Sequence, residues 1–329
     1  MSELRWNPLL GEWVATATHR QERTFLPPPD FCPLCPTREG GFRTEVPAPD
    51  YEIVVFENKF PSLRREPPAP AVEGSELYRV RPAQGVCEVV LYTPRHTTTL
   101  AEGSIVQIER LIRVWADRFA ELDGLDYVRY VYIFENKGEE IGVTLHHPHG
   151  QIYGYPFIPP IIARELERAR AHRERTGRNL IADIVAEELR DGRRVVLEGE
   201  RFVACIPFFA RWPYETHIYA KRHVEALTDL SAEERCELAR VLKRLLVGFD
   251  RLFARSFPYV MALHGRPSDG GDYSYYDFHI EFYPPMRAAD KLKYLAGSEI
   301  GAGMFINDTL AEEKAAELRA RIEAFDGSE

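Results

Sequence analysis

Four stretches of the chain have the hydrophobic spacing of amphipathic helices. The first begins at Ser104, with Gln107 expected to complete a capping box. The stretch 161–189 is highly charged, which is typical of a helix on the surface. Two further helices are predicted over 231–249 and 309–325, each beginning with a Ser or Thr that is followed three residues later by Glu. The apolar stripe of the first helix consists of Ile105, Ile108, Ile112, Trp115 and Phe119.

Short alternating runs of β-branched and aromatic residues predict strands between these helices. They are "YEIVVFEN", "CEVVLYTP", "YVRYVYIFEN", "THIYAKRH" and "DFHIEFYPP". Their order repeats. The first half reads "PRHTTTL", a capped helix, "YVRYVYIFEN" and "HHPHGQIYGYP", and the second reads "KRHVEAL", a capped helix, "FPYVMALHG" and "DFHIEFYPP".

This repeat indicates that one supersecondary unit is used twice, with a degenerate histidine strand in the second copy. Chance similarity between two strand–helix–strand segments is the alternative. The order of elements predicts an α+β fold in which helices pack on one face of an antiparallel sheet. We expect two domains, 1–165 and 166–329.

Charge and cysteine content narrow the functional class. The formal net charge is −9, whereas general nucleic-acid binders carry a basic excess, so we expect no nucleic-acid partner. No stretch approaches the ~18 apolar residues of a membrane span, and charged Glu3 and Arg5 stand where a secretory signal would turn apolar. Five cysteines without a regular framework argue against a secreted disulfide scaffold. These features predict a cytoplasmic protein without a membrane partner.

The segment "HHPHGQIYGYP" contains the strongest candidate for chemistry. Side chains alternate between the two faces along a strand, so His147, His149 and Gln151 are expected to point the same way. Pro148 and Gly150 favour an edge strand with close ligand approach. A neutral imidazole can attack phosphorus, and Gln151 could donate to the phosphoryl oxygens. A structural or purely metal-binding histidine cluster is the alternative.

"FCPLCP" places Cys32 and Cys35 at the Cys-x-x-Cys spacing of a zinc knuckle. Two thiolates need two further ligands, for which His96 and His147 are the candidates. A redox pair is the alternative, but no helix pattern follows Cys35. A closed four-ligand zinc site would be structural and would tie the N-terminal loop to the nucleophile strand.

Phosphate-binding groups are predicted on both sides of this segment. "THRQERT" contains Arg20 and Arg23, which are suited to bidentate phosphate contacts. "FENKGEEIGVT" contains Asn136, Gly142 and Thr144, whose amides and hydroxyl could hold phosphate oxygens. Each segment alone also fits a charged surface loop.

Together these motifs resemble the galactose-1-phosphate uridylyltransferase family, the transferase branch of the histidine-triad superfamily. The resemblance extends along nearly the whole chain, through "NPLLGEWV", His-Arg-x-x-Arg, Cys-x-x-Cys, "FENK", "HPHGQI", "RWPYE", "HGRP" and "FYPP" in order. Simpler histidine-triad hydrolases have a third histidine where Gln151 stands. Two histidine-triad-like domains are therefore expected.

The resemblance implies a ping-pong transfer of UMP. His149 would take UMP from UDP-glucose, release glucose-1-phosphate, and pass the UMP to galactose-1-phosphate. By position, the residues matching the uridine pocket are Leu34, Phe56, Asn58, Phe60 and Val89. Lys293, Tyr294 and Glu299 match a segment that reaches the partner subunit's active site and contacts the sugar, so a homodimer with shared sites is implied.

The resemblance also implies a second structural metal, iron or zinc, on Glu165, His264, His279 and Glu281. Glu281 replaces a histidine of the family pattern, and a carboxylate can serve as a ligand there. Lys59 stands where the family has an Asp that contacts ribose. A sugar-contacting glutamine is missing, and Phe305 falls near its place.

Two other enzymatic functions and one non-enzymatic function are the alternatives for the same residues. An ADP-sugar phosphorylase-like enzyme would use His149 with a different nucleobase and acceptor, and a hydrolase of nucleotidyl conjugates is disfavoured by Gln151. A non-enzymatic, zinc-stabilised module that binds nucleotides is the alternative outside enzymes, but such a module needs no nucleophile.

Overall fold

The computed structural model describes residues 2–22, 26–28 and 31–326. Its strands are β1 Ser2–Asn7, β2 Glu12–Ala17, β3 Val54–Glu57, β4 Val80–Pro82, β5 Val86–Leu91, β6 Tyr130–Lys137, β7 His149–Tyr155, β8 Val195–Glu198, β9 Phe202–Cys205, β10 Thr216–Ala220, β11 Tyr259–His264, β12 His279–Tyr283, β13 Met286–Ala288 and β14 Lys291–Leu292. Its helices are α1 Ile105–Asp123, α2 Pro160–Thr176, α3 Leu180–Asp191, α4 Ala232–Leu252, α5 Gly297–Ala302 and α6 Ala311–Asp326.

One antiparallel sheet of nine strands joins the two halves of the chain. Its order is β3-β5-β7-β6-β11-β12-β10-β9-β8. The order is symmetric about the β6–β11 pair, since β7 and β5 on one side correspond to β12 and β10 on the other. This arrangement follows the internal repeat and confirms the predicted α+β class with helices on an antiparallel sheet.

Helices α1, α4 and α6 cover one face of this sheet. Trp115 of α1 and Phe249 of α4 are fully buried and belong to the same core as Ile152 of β7 and Ile280 of β12. Residues that alternate with Ile152 and Ile280 therefore point to the opposite face. Both histidine strands present their polar residues on that opposite face.

The predicted helix over 161–189 is two helices in the structure. α2 ends at Gly177, whose φ of 75° is left-handed, and its amide donates to the carbonyl oxygen of Arg173. α3 then begins after Asn179 and folds back beside α2. The prediction missed this break because the charged pattern continues across it. The two helices pack over β9 and β10 through Ile162, Leu166, Ile181 and Val185.

The predicted helix starts have mixed outcomes. Ser231 and Glu234 form the full capping box of α4. Ser104 accepts from the Gln107 amide, but the Gln107 side chain instead donates to the Tyr92 carbonyl oxygen at 2.6 Å. Ile105, predicted to be buried, is 37% exposed because it lies in the first turn, outside the core contact.

The last helix begins later than predicted. It starts at Ala311, and Thr309 donates to the Asn307 side chain at 2.8 Å instead of capping. Glu312 binds Arg194 at 2.7 Å, so long-range pairing replaces the predicted box. The five predicted strands are present as β3, β5, β6, β10 and β12. None of the helices over the described ranges is long and apolar enough to cross a membrane.

Candidate active site

The histidine strand β7 lies in the interior of the sheet, between β5 and β6, so the predicted edge position is wrong. β7 begins at His149, and His147 precedes it as a buried residue that turns toward Cys35. The alternation argument therefore holds for His149 and Gln151 but not for His147. Pro148 is tolerated because it stands before the first ladder position.

Gly150 is explained by packing beneath the sheet rather than by ligand approach. A Cβ atom on Gly150 would lie 2.2 Å from the Tyr92 hydroxyl and 3.1 Å from the Phe134 carbonyl oxygen. Tyr92 is itself buried and donates to the carboxylate of Glu135 at 3.4 Å. These contacts fix the position of the β7 backbone directly beside His149.

We therefore expect Gly150→Ala to lower the free energy of unfolding by about 1–3 kcal/mol, because the added methyl group overpacks a fixed site. Urea unfolding measures the change. Gly301→Ala is the control, since its Cβ would meet no atom within 4 Å. Tyr92→Phe in the Gly150→Ala background should recover part of the loss, and a Gly150→Ala protein as stable as the control would contradict this account.

His149 is held in the form that a nucleophile needs. Its Nδ1–H donates to the carbonyl oxygen of His147 at 2.7 Å, which leaves Nε2 unprotonated. Burial lowers the pKa of His149, and the bond to the His147 carbonyl does not fully offset this effect. The ring is therefore neutral at pH 7.

Gln151 lies next to His149 on the same face of β7. Its Oε1 accepts a hydrogen bond from the Tyr153 hydroxyl at 3.1 Å. This contact directs the amide nitrogen away from Tyr153, so that it can donate into the cleft. Asn136 lies across from His149 on β6, where it lines the same cleft.

His149 stands between two parts of one cleft. The first part has a volume of about 740 Å³, including space open to solvent. It brings together all five residues predicted for the uridine pocket with Arg20, Thr144, His149 and Gln151. Lys59 also lines it, and its ammonium group pairs with Glu45 at 3.0 Å. The residues shared with the predicted pocket are Leu34, Phe56, Asn58, Phe60 and Val89.

The second part of the cleft lies on the other side of His149 and has a volume of about 1030 Å³. Besides Asn136 it is lined by residues that the sequence analysis missed: Thr97, Thr98, Glu102, His146 and Ser256. The run of three threonines after His96 was a signal for the first two. Ser256 comes from the second half of the chain and had no local signal.

The four predicted zinc ligands come together beside this cleft. The ligand atoms of Cys32, Cys35, His96 and His147 all lie within 4.8 Å of one another. Cys35 Sγ is 3.5 Å from Nδ1 of each histidine. Burial, and then the neighbouring Cys32, raises the pKa of Cys35 to about 12. A divalent cation would offset that cost, so the donor set fits zinc.

A hydrogen bond orients one of the two histidines predicted to bind zinc. His147 Nε2–H donates to the Thr93 carbonyl oxygen at 2.8 Å and so directs Nδ1 toward the thiols. All five cysteines are free of disulfides. Cys87 and Cys205 are buried, whereas Cys236 is only partly buried.

The second predicted cluster also forms. Ligand atoms of Glu165, His264, His279 and Glu281 lie within 4.8 Å of one another. His264 Nδ1 is 3.1 Å from Glu165, and His279 Nε2 is 3.4 Å from Glu281. Two imidazoles and two carboxylates are a donor set that suits a divalent metal.

Buried His217 was missed by the sequence analysis. It lies opposite Glu281 on the neighbouring strand, with Nδ1 3.4 Å from the Glu281 carboxylate. The alternation in "THIYAKRH" placed His217 and Tyr219 on one face, but only the strand pairing shows what that face contacts.

Several predicted site residues lie apart from the cleft of their own chain. Gly142 is exposed and does not line either part of the cleft, and its amide donates to the Glu139 carbonyl oxygen at 2.9 Å. Lys293 pairs with Glu299 at 3.0 Å within the C-terminal segment. Tyr294 is 74% exposed. Arg23 lies outside the described residues.

Comparison with known proteins identifies the family. The N-terminal domain model of galactose-1-phosphate uridyl transferase matches residues 1–159, and the C-terminal domain model matches residues 165–326. The chain belongs to the galactose-1-phosphate uridylyltransferase family. The resemblance inferred from the motifs is thereby confirmed.

Relatives of the family are similar over nearly their full length. Galactose-1-phosphate uridylyltransferase of Thermotoga maritima is 43% identical over 97% of this chain and 98% of its own length. The enzyme of Rattus norvegicus is 36% identical over 96% of this chain and 86% of its own. A solved structure of a uridylyltransferase superposes with a TM-score of 0.86 at 34% identity, covering 98% of this chain and 99% of the other.

The fold is shared more widely than the family. An ADP-glucose phosphorylase from Arabidopsis thaliana, solved with bound ADP-glucose, has a TM-score of 0.73 at 24% identity, covering 97% of this chain and 98% of its own. The fold alone therefore does not show whether a protein of this fold binds a uridine or an adenosine nucleotide.

Proposed function

We propose that this protein exchanges UMP between UDP-glucose and galactose-1-phosphate through a covalent intermediate on His149. The observation that carries the proposal is the tautomer of His149. Its Nδ1–H donates to the His147 carbonyl oxygen, which leaves Nε2 unprotonated between the two parts of the cleft. The first part would hold the uridine and the second part the leaving sugar phosphate.

In the first step His149 Nε2 forms a bond to the α-phosphorus, and the bond from that phosphorus to the bridging oxygen breaks. Glucose-1-phosphate leaves with the electron pair. In the second step an oxygen of galactose-1-phosphate attacks the same phosphorus, and the P–N bond breaks. The Gln151 amide donates to the phosphoryl oxygens where charge develops.

Zinc, when bound by Cys32, Cys35, His96 and His147, would act as a structural clip with no open position. Its contribution would be to fix His147, whose carbonyl oxygen sets the His149 tautomer. A second metal, iron or zinc, would be held by Glu165, His264, His279 and Glu281. It would have a structural role in the second half of the chain.

We further propose a cytoplasmic homodimer in which Lys293, Tyr294 and Glu299 complete the partner subunit's sugar site. Support comes from the exposed apolar surface of this segment, since Tyr294 and Ile300 are each 74% exposed and Met304 is 66% exposed. Free cysteines fit a reducing compartment. The domain division at residue 165 stays a prediction.

The deciding experiment is intact mass under non-acidic conditions after separate incubation with UDP-glucose and ADP-glucose. A UMP adduct that maps to His149 and is discharged by galactose-1-phosphate is the expected result. An AMP adduct would instead show that the protein transfers AMP, as the adenylyltransferase alternative requires. Protein that contains its zinc and gives neither adduct would contradict nucleotidyl transfer through His149.

Arg20→Ala should lower kcat/KM for UDP-glucose by about 10–100-fold, the value of one charge-assisted contact to phosphate. Arg20 lines the first part of the cleft and is positioned by a bond from Nη1 to the Phe60 carbonyl oxygen at 2.9 Å. Steady-state kinetics measures the loss. Arg43→Ala is the control because Arg43 is exposed and does not line the cleft; equal kinetics in both variants would refute the phosphate role.

A further inference from the structure

An acidic side chain lines the part of the cleft in which the uridine would lie. Among the described residues that line this part, Glu45 is the single carboxylate, and the others are apolar, neutral polar, imidazole or basic. The proposed transfer gives Glu45 no role. A carboxylate in a nucleotide cleft repels the phosphates of the substrate, so its presence there requires a compensating contact.

The loop that carries Glu45 is fixed on both sides of that residue. The Glu45 amide donates to the Pro33 carbonyl oxygen at 2.9 Å, and Pro33 lies within the Cys-x-x-Cys motif. The Thr44 and Thr37 hydroxyls are hydrogen-bonded at 3.0 Å, and Val46 is buried. The backbone at Glu45 is therefore tied to the loop of the predicted zinc cluster, which fixes the point from which the side chain reaches the cleft.

Lys59 holds the Glu45 carboxylate at the mouth of the cleft. Its Nζ donates to Glu45 Oε1 at 3.0 Å, and within the described ranges Oε2 has no hydrogen-bond partner. The side chains of Lys59 and Glu45 are 62% and 30% exposed, and an ion pair this exposed contributes little to folding stability. An ammonium group only donates, so Glu45 alone of this pair can accept a hydrogen bond from a ligand.

The apolar residues of this part of the cleft lie deeper than Glu45. Leu34 and Val89 are buried, and they would contact the faces of the base. Arg20 and His149 line the same part of the cleft and would contact the phosphate. The ribose connects the base to the phosphate, so its two hydroxyl groups would lie between these regions and face the mouth, where Glu45 is.

We propose that Glu45 binds the ribose of the nucleotide by accepting hydrogen bonds from its 2′- and 3′-hydroxyl groups, and that Lys59 positions the carboxylate for this contact. Acidic side chains bind the ribose 2′-hydroxyl in dinucleotide-binding folds for the same reason, since a hydroxyl donates and a carboxylate accepts. Hydrogen bonds to a charged acceptor are stronger than neutral ones, and solvent at the mouth screens the repulsion from the phosphates. The inference rests on the proposed UMP transfer and makes Glu45 a determinant of specificity for ribonucleotides.

Steady-state kinetics of the full-length protein with UDP-glucose and with its 2′-deoxyribose analogue tests this proposal. The wild-type protein should prefer the ribose substrate by about 10- to 100-fold in kcat/KM, the value of one charge-assisted hydrogen bond. Glu45→Ala should reduce this preference to about twofold or less, because the variant has no acceptor for the 2′-hydroxyl. Lys59→Met should retain an intermediate preference, since the carboxylate remains but is no longer held.

Glu39→Ala is the matched control and should keep the wild-type preference, because Glu39 is exposed on the same loop and does not line the cleft. The preference compares two substrates on one preparation, so a partial loss of folded protein does not change it. A wild-type protein that uses both substrates equally, or a Glu45→Ala variant that keeps the wild-type preference, would overturn the proposal.

Equilibrium dialysis with UMP and with 2′-deoxy-UMP separates this proposal from the proposed transfer. Binding should show the same preference in the wild-type protein and the same loss in Glu45→Ala, whether or not UMP is transferred. Failure of the transfer would instead appear as the absence of a UMP adduct on His149. Equal affinity of the wild-type protein for the two nucleotides would overturn the role of Glu45.

Discussion

Replacing His149 with alanine should reduce UMP transfer by roughly 10⁴-fold or more, because the variant lacks the imidazole Nε2 on which the phosphorus–nitrogen bond forms. The fold should persist, since His149 is only partly buried and its Nδ1 bond is to an adjacent carbonyl. Initial rates with UDP-glucose and galactose-1-phosphate measure the loss, and intact mass should show no UMP adduct.

His172→Ala is the matched histidine control for that experiment. His172 lies on α2, where it pairs with Asp183 at 2.7 Å and lines neither part of the cleft. Its activity should stay near wild type. Substantial turnover by the His149 variant would mean that UMP passes directly from donor to acceptor, and the covalent mechanism would be wrong.

Cys32→Ser should remove about one zinc per chain and lower the free energy of unfolding by about 3–5 kcal/mol. Cys32 is buried, and its sulfur lies within 4.8 Å of ligand atoms of Cys35, His96 and His147. Elemental analysis of the purified protein and urea unfolding measure the two effects. The rate of UMP transfer should also fall as zinc is lost, because His147 would lose the metal ion that holds it in place.

Cys236→Ser provides the matched cysteine control. Cys236 is free, partly buried on α4 and outside both clusters, so its variant should keep its zinc and most of its stability. Zinc content that is equal in the two variants would show that the Cys-x-x-Cys assignment is wrong.

The sequence pattern predicted the structure correctly where interactions between residues close in the chain determine it. The Ser231–Glu234 box begins α4 because both of its bonds lie within one turn. The Cys-x-x-Cys spacing identified the first metal cluster, since metal ligation restricts residue type and spacing, whereas the second cluster followed only from the family resemblance. The repeat of elements predicted the symmetric sheet.

Predictions from the sequence pattern were wrong where contacts between residues far apart in the chain compete with local ones. Gln107 was expected to close a capping box but binds the Tyr92 carbonyl, and Glu312 was expected to do the same but binds Arg194. Gly150 was read as a place for ligand approach, whereas the constraint is the Tyr92 hydroxyl beneath it. None of these partners is a sequence neighbour.

By itself the sequence determined the α+β class, the family and the residues that could perform nucleotidyl transfer. Motifs and hydrophobic periodicity are properties of short segments, so they can be recognised without the tertiary structure. Only the tertiary structure decided that β7 is an interior strand and that the His147 carbonyl sets the His149 tautomer. It also decided that Glu281 faces His217 and that Glu45 pairs with Lys59 at the cleft. These features depend on strand register and helix packing between residues far apart in the chain, which single-residue preferences do not encode.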